Sequence, residues 1–130
     1  MSTIKVDTIQ DTNAVEMYLC KAWVNFDGTW TSGDPIRADG NVSSITDNGT
    51  GDYTVNFTNA MEDANYSLAH MCNSGSLTSG QPAGVSIRSP YNSSTLDSEA
   101  MTTTSFRINA GFGNTTVRYD VSVISIAVFR

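Results

Sequence analysis

The sequence predicts an all-β fold, an antiparallel β-sandwich or jelly-roll-like knob. Apolar and polar residues alternate in short runs with the period of a half-buried strand, and no run has a helical period. Clusters of Gly, Asn, Asp and Pro separate these runs as turns. Seven or eight such runs in 130 residues fit one sandwich or jelly-roll domain.

The first run is Ile4-Lys5-Val6-Asp7-Thr8, with Ile4 and Val6 on one side. It belongs to an N-terminal arm of residues 1–16, and the knob occupies residues 17–130. A long strand is predicted over Met17 to Phe26. Its apolar face is Tyr18, Cys20, Ala22, Val24 and Phe26, and its other face is Leu19, Lys21, Trp23 and Asn25. Asp27 to Gly40, with three Gly, one Pro and four Asp or Arg, reads as a loop. Val42 to Thr46 and Tyr53 to Phe57 then flank Asp47 to Asp52. Asn48-Gly49 there supplies the positive φ angles of a tight hairpin turn, and Tyr53, Val55 and Phe57 share one face.

Asn59 to Asn65 is a second turn region. Tyr66 to Cys72 is a strand with Tyr66, Leu68 and His70 on one face. Asn73 to Gly84 is a polar loop, Val85 to Ile87 a short strand and Pro90 to Glu99 another loop. Thr103 to Phe112 and Val117 to Phe129 are the last two strands, with a turn at Gly113-Asn114. The final strand is apolar on both faces. Val121, Val123, Ala127 and Phe129 lie on one and Ile124, Ile126 and Val128 on the other. One face suits the core. The other is covered either by a neighbouring subunit or by the chain itself.

Ser, Thr and Asn make up about a third of the chain, far above ordinary usage. The recurrent β-branched and aromatic bursts argue against disorder. The net charge of −6 argues against nucleic acid, whose binding rests on Lys and Arg neutralising phosphates. Met1 to Gln10 has no apolar signal-peptide region, and no run approaches the roughly 20 apolar residues of a membrane span. Synthesis in a cytoplasm is therefore expected, without membrane insertion. Asn-x-Ser/Thr triplets begin at Asn41, Asn48, Asn56, Asn65, Asn92 and Asn114, as so Asn-, Ser- and Thr-rich a chain produces by chance. Cys20 and Cys72 are the only cysteines, and they read as two small buried thiols. A bridge would need their Cα atoms within about 7 Å, and a tetrahedral metal site would need more partners than His70.

Cys20-Lys21-Ala22-Trp23-Val24-Asn25-Phe26-Asp27-Gly28-Thr29 resembles the opening of the C-terminal knob domain of tail fibre proteins from marine and freshwater bacteriophages, cyanophages included. Asn41 to Phe57 is similar to the segment that follows in that family. So is Met61-Glu62-Asp63-Ala64-Asn65-Tyr66, where the family usually has Pro in place of Glu62. Ser2 to Gln10 resembles the segment before the knob, and Asp120 to Arg130 fits more loosely. The resemblance implies a viral structural protein on the virion, a homotrimer whose knob attaches to a glycan or protein of the host surface. Trimer-contact candidates are then Ile4, Val6, Ile124, Ile126 and Val128. The departure is Trp30-Thr31-Ser32-Gly33-Asp34-Pro35, which stands where the family has a shorter, more apolar link before its Ile-Arg pair, here Ile36-Arg37. Fibres are usually far longer than 130 residues. A capsid decoration or cement protein, or a tail assembly adaptor, is therefore the alternative, with the Ile4/Val6/Ile9 arm joining a neighbouring sheet edge.

Receptor-binding candidates are Trp30, Asp34, Arg37, Arg88 and Tyr91. Trp30 and Tyr91 either stack on a sugar ring or fold back over the sandwich, since exposed Trp is enriched at binding hot spots. Arg37 and Arg88 either meet a carboxylate-bearing glycan or form surface ion pairs, which contribute little. Asp47 to Asp52 offers oxygen ligands but not the closing acid and spacing of a calcium loop. His70 has no nucleophile motif beside it, and no carboxylate pair stands out for glycoside hydrolysis. Neither enzyme activity nor a cofactor is expected.

Overall fold

In a computed structural model, which describes residues 2–3, 9–15, 17–73, 83–87, 100–112 and 118–130, the alternating runs form strands in two antiparallel sheets. They are β1 (Cys20–Phe26), β2 (Ile36–Gly40), β3 (Val42–Gly49), β4 (Asp52–Phe57), β5 (Ser67–Cys72), β6 (Ala83–Ile87), β7 (Ser105–Phe112) and β8 (Ile124–Phe129). One sheet has the order β2-β1-β8-β5 and the other β3-β4-β7-β6. There is no helix among the described residues. The inner faces of the two sheets share one hydrophobic cluster, a β-sandwich-like arrangement.

Alternation decides what enters that cluster. Ala22, Val24 and Phe26 of β1 point inward beside Val128, Ile126 and Ile124 of β8, their register partners. Across the gap, Tyr53, Val55 and Phe57 of β4 share the expected inward face, with Phe106, Ile108 and Ala110 of β7. Aromatic rings organise both ends. Phe26 meets Tyr53 edge-on at 5.4 Å, and Phe57 meets Tyr66 edge-on at 5.6 Å. Such edge-to-face pairs add about 1 kcal/mol beyond their burial. Tyr66 sits just ahead of β5, its hydroxyl 2.9 Å from the Thr102 carbonyl, and burial pushes its pKa up to about 12.

Several expectations change. Ile124, Ile126 and Val128, the proposed trimer contacts, are 0%, 3% and 1% exposed within the single chain. They fill its own core, because their register partners on β1 are themselves inward-facing. Of the other candidates for that role, Ile4 and Val6 lie outside the described residues. The long first strand starts only at Cys20, leaving Tyr18 and Cys20 exposed. A bulge explains this: Cys20 pairs with Phe129 and Ala22 with Val128, so Lys21 is an extra residue and the side chains before it change faces. The expected loop Asp27 to Gly40 contains β2, because the β1 edge supplies its backbone partners and Ile36 packs against the core. Gly40 closes that strand beneath the Trp23 indole, which occupies the space a Cβ would need. The hairpin forms, but its positive φ angles fall on Gly49 (124°) and Gly51 (61°) and not on Asn48. Asn48 donates instead to the Thr54 hydroxyl at 2.9 Å. His70 is exposed. The turn at Gly113-Asn114 and most of the loops at Asn73 to Gly84 and Pro90 to Glu99 lie outside the described residues.

The two outer faces differ in chemistry. On the β3-β4-β7-β6 sheet the outward row Ser44, Asn56, Ser105 is polar, and Asn56 donates to the Ser44 and Thr46 hydroxyls. On the β2-β1-β8-β5 sheet one outward row is Gly40, Trp23, Ala127, Ala69. The next is Ala38, Asn25, Ser125, Met71, and a third is Cys20, Phe129, Ser67. An antiparallel sheet with one solvated face normally carries polar side chains on it. This one carries Trp, Phe, Met and Ala.

Candidate functional site

The β1–β2 loop, residues 27–35, carries the local chemistry the sequence pointed to. Asp27 anchors it. Its carboxylate accepts from the Thr29 N–H at 2.9 Å and the Thr29 hydroxyl at 2.7 Å, and Arg37 donates to its other oxygen at 2.8 Å. The Thr29 hydroxyl first, then its N–H and the Arg37 charge, hold the Asp27 carboxyl below its ordinary range. Asp34 accepts from the Ile36 N–H at 2.9 Å, a local turn bond that delivers the chain into β2. Gly33 takes φ 79° between them.

Trp30 folds back. It is half-buried, and its ring centroid lies 6.0 Å from that of Tyr53. Arg37 is engaged by Asp27 and reaches Asn25 at 3.4 Å. Trp30, Asp34 and Arg37 thus belong to one loop and the strand it enters, while Arg88 and Tyr91 lie outside the described residues. What the loop presents outward is polar: Thr31, Ser32, Gly33 and Asp34 are exposed.

Beneath the loop is a part-buried polar knot, with Asp120 at its exposed edge, that sequence reasoning missed. The Tyr53 hydroxyl lies 2.6 Å from Asp120 Oδ1 and 2.9 Å from the Gly28 carbonyl. Asp120 also accepts from the Gly51 N–H at 2.7 Å, and the Gly28 N–H donates to the Val121 carbonyl at 2.9 Å. The knot joins the β1–β2 loop, the β3–β4 turn and the segment leading to β8. Desolvation first, and then Asp120, raise the Tyr53 pKa far above that of a free phenol. Beside it, Asp52 is 3% exposed and is held by Arg107 at 2.7 and 3.1 Å and by Arg118 at 2.8 Å. Nothing in the local pattern flagged either group, since both depend on residues more than fifty positions apart.

A polar cleft of about 600 Å³ opens at the start of β1, lined by Tyr18, Lys21, Asn41, Met61, Glu62 and Arg130. Arg130 is tied to Asp63 there. The Arg130 hydrogen bond first, then the Asn65 N–H, lower the Asp63 pKa from 3.8 to about 2. A depressed carboxyl contributes stability above its unfolded pKa and loses it as pH falls through the folded value. Thermal unfolding of Asp63→Asn is therefore expected to show a shallower loss of Tm than the parent between about pH 4 and pH 2. Parallel melting curves would remove the pair from any account of acid stability.

Both cysteines are free. Cys20 is exposed, contrary to the expected burial, because it precedes the bulge. Cys72 is half-buried, and burial raises its thiol pKa. Among the described residues no three His, Cys, Asp or Glu side chains are grouped to hold a metal ion, and no helix is long and apolar enough to cross a membrane. Compared with known proteins, the chain matches no family model, and neither a curated protein nor a solved structure matches it.

Proposed function

We propose that the chain is a bacteriophage virion protein, a homotrimeric knob of a tail fibre or receptor-binding assembly that attaches to the host cell surface and catalyses no reaction. One observation carries this reading. The segments that resemble the tail-fibre knob fall on β1, on the β3–β4 hairpin and on the approach to β5, whereas the departure Trp30 to Pro35 falls on a loop. A shared scaffold with its difference in a loop is how binding proteins vary their targets. The strand order supports the jelly-roll version of the fold. Without the edge strands β2 and β3, the sheets read β1-β8-β5 and β4-β7-β6. That is the interleaving of two antiparallel Greek keys, lacking one strand from each sheet.

The receptor surface in this reading is the β1–β2 loop, with Trp30 as its buttress and the polar residues 31–34 facing outward. The experiment is binding of fluorescently labelled protein to cultured aquatic bacteria, cyanobacteria included, in competition with phage adsorption. Saturable binding that blocks adsorption is expected. Trp30→Ala is expected to lower Tm and binding together, because Trp30 packs on Tyr53. Absence of binding from folded protein to every host tested would overturn the receptor reading.

The decoration or assembly alternative is favoured by one feature of the arm. Residues 9–15 and Met17 are tied together through Met17 N–H to Ile9 O at 2.8 Å and Asp11 N–H to Val15 O at 2.9 Å, with Ile9, Val15 and Met17 exposed. Such an arm suits attachment to another virion protein. Added to stripped phage heads, the protein would in that case raise their resistance to heat.

A further inference from the structure

We infer that copies of this chain associate through the outer face of the β2-β1-β8-β5 sheet. The inference deepens the homotrimer in the proposed function and rests on that reading. The face replaces Ile124, Ile126 and Val128, which the chain buries itself.

Three observations point to a second copy as the occupant. First, the face is apolar and open. Trp23 is 44% exposed, Met71 72% and Phe129 38%, and a depression of about 420 Å³ lies over Trp23, Ala69, Met71, Ser125 and Ala127. Second, the polar pair at its centre is satisfied within the chain. Asn25 donates to the Ser125 hydroxyl at 2.9 Å and accepts from Arg37 at 3.4 Å, which leaves Ser67, His70 and the Trp23 indole as the polar groups a glycan would meet there.

Third, the three outward rows hold no Asp, Glu, Lys or Arg, and the Arg37 guanidinium that reaches Asn25 from the edge is already paired with Asp27, in a chain with 13 acidic residues and a net charge of −6. A nucleic acid or sulfated glycan would need cations there, and a basic partner would need carboxylates. Acidic copies of one chain repel wherever their carboxylates meet, so their contact belongs where carboxylates are lacking. Lys21, the extra residue of the bulge at the margin, can take a neighbour's carboxylate. The opposite sheet offers no such surface, since its outer face carries Arg107 and Asp52 among hydroxyls and amides.

The test is the solution mass of the full chain by light scattering, for the parent, for Ala69→Glu/Met71→Glu and for Ser44→Glu/Thr46→Glu on the opposite face. The parent and the Ser44/Thr46 variant are expected to give multiples of the 14.0 kDa chain mass. Ala69→Glu/Met71→Glu is expected to weaken association by about 100-fold, because like charges forced together across an interface cost several kcal/mol. Added salt should restore part of it. Circular dichroism checks the fold. Where the double variant unfolds, Met71→Glu alone serves, since Met71 makes little contact within the chain. A parent oligomer that keeps its mass in Met71→Glu and in Ala69→Glu/Met71→Glu overturns the inference and leaves the trimer standing. A parent that stays at single-chain mass overturns both.

Discussion

Tyr53→Ala is expected to lower the unfolding free energy by about 4 kcal/mol, the cost of removing a large aromatic from a packed core. For a chain of this length that corresponds to a fall in Tm of roughly 15 °C. The size follows from where the ring sits. Tyr53 is fully buried, with Phe26 edge-on at 5.4 Å on one side and Trp30 at 6.0 Å on another, so a cavity opens where both sheets meet. Tyr53→Phe keeps the ring and deletes only the hydroxyl. It removes the one hydroxyl proton that the Gly28 carbonyl and Asp120 share, while Asp120 still accepts from the Gly51 N–H. A loss of about 1.5 kcal/mol is expected for it. Urea unfolding of the two variants separates the contributions. Equal losses would mean that the hydroxyl knot and not the ring packing holds this end together. The knot matters for the proposed function because it fixes the start of the loop that carries Trp30, at Gly28.

The sequence made the strands legible where alternation was clean. Tyr53, Val55 and Phe57 on one face, the hairpin around Asp47 to Asp52 and the strand ending at Phe26 all follow from period two. Three things escaped it, each for a physical reason. The single-residue bulge at Lys21 moves Cys20 to the opposite face from Ala22, and no local pattern marks a bulge, since its cause lies in the pairing with β8. Strand β2 has Arg-Ala-Asp-Gly after Ile36, a sequence with little strand preference. It is extended because β1 offers a free edge and Gly40 lets Trp23 lie over it. The two apolar faces of the last strand were visible, but which one turns inward was not. That choice is made by Ala22, Val24 and Phe26, about a hundred residues earlier. The candidate site was legible to the same degree. Trp30, Asp34 and Arg37 were found from their loop, whereas the Tyr53–Asp120 and Asp52–Arg pairs beneath it exist only through tertiary contact.

Asp52→Ala is expected to cost about 3 kcal/mol, at the lower end of what breaking a buried ion pair does. The Asp52 side chain is 4% exposed, while Arg107 and Arg118 are 29% and 32% exposed, so water partly relieves the two cations once the carboxylate is gone. The bidentate geometry of Arg107, through Nε at 2.7 Å and Nη2 at 3.1 Å, makes that pair the stronger of the two. Arg118 approaches from the segment that returns along Gly111, two residues before Asp120. Asp52 therefore pins, through charge, the same segment that Tyr53 pins through its hydroxyl. Replacing all three, as Asp52→Leu/Arg107→Met/Arg118→Leu, is expected to recover stability to within about 1 kcal/mol of the parent, because apolar packing removes three desolvation costs at once. Urea unfolding of the single and triple variants decides between two roles. Recovery in the triple variant would mean that the charges serve register more than stability. A triple variant as unstable as Asp52→Ala would mean that the ion pairs stabilise the fold beyond what packing replaces, and that this end of the sandwich depends on them.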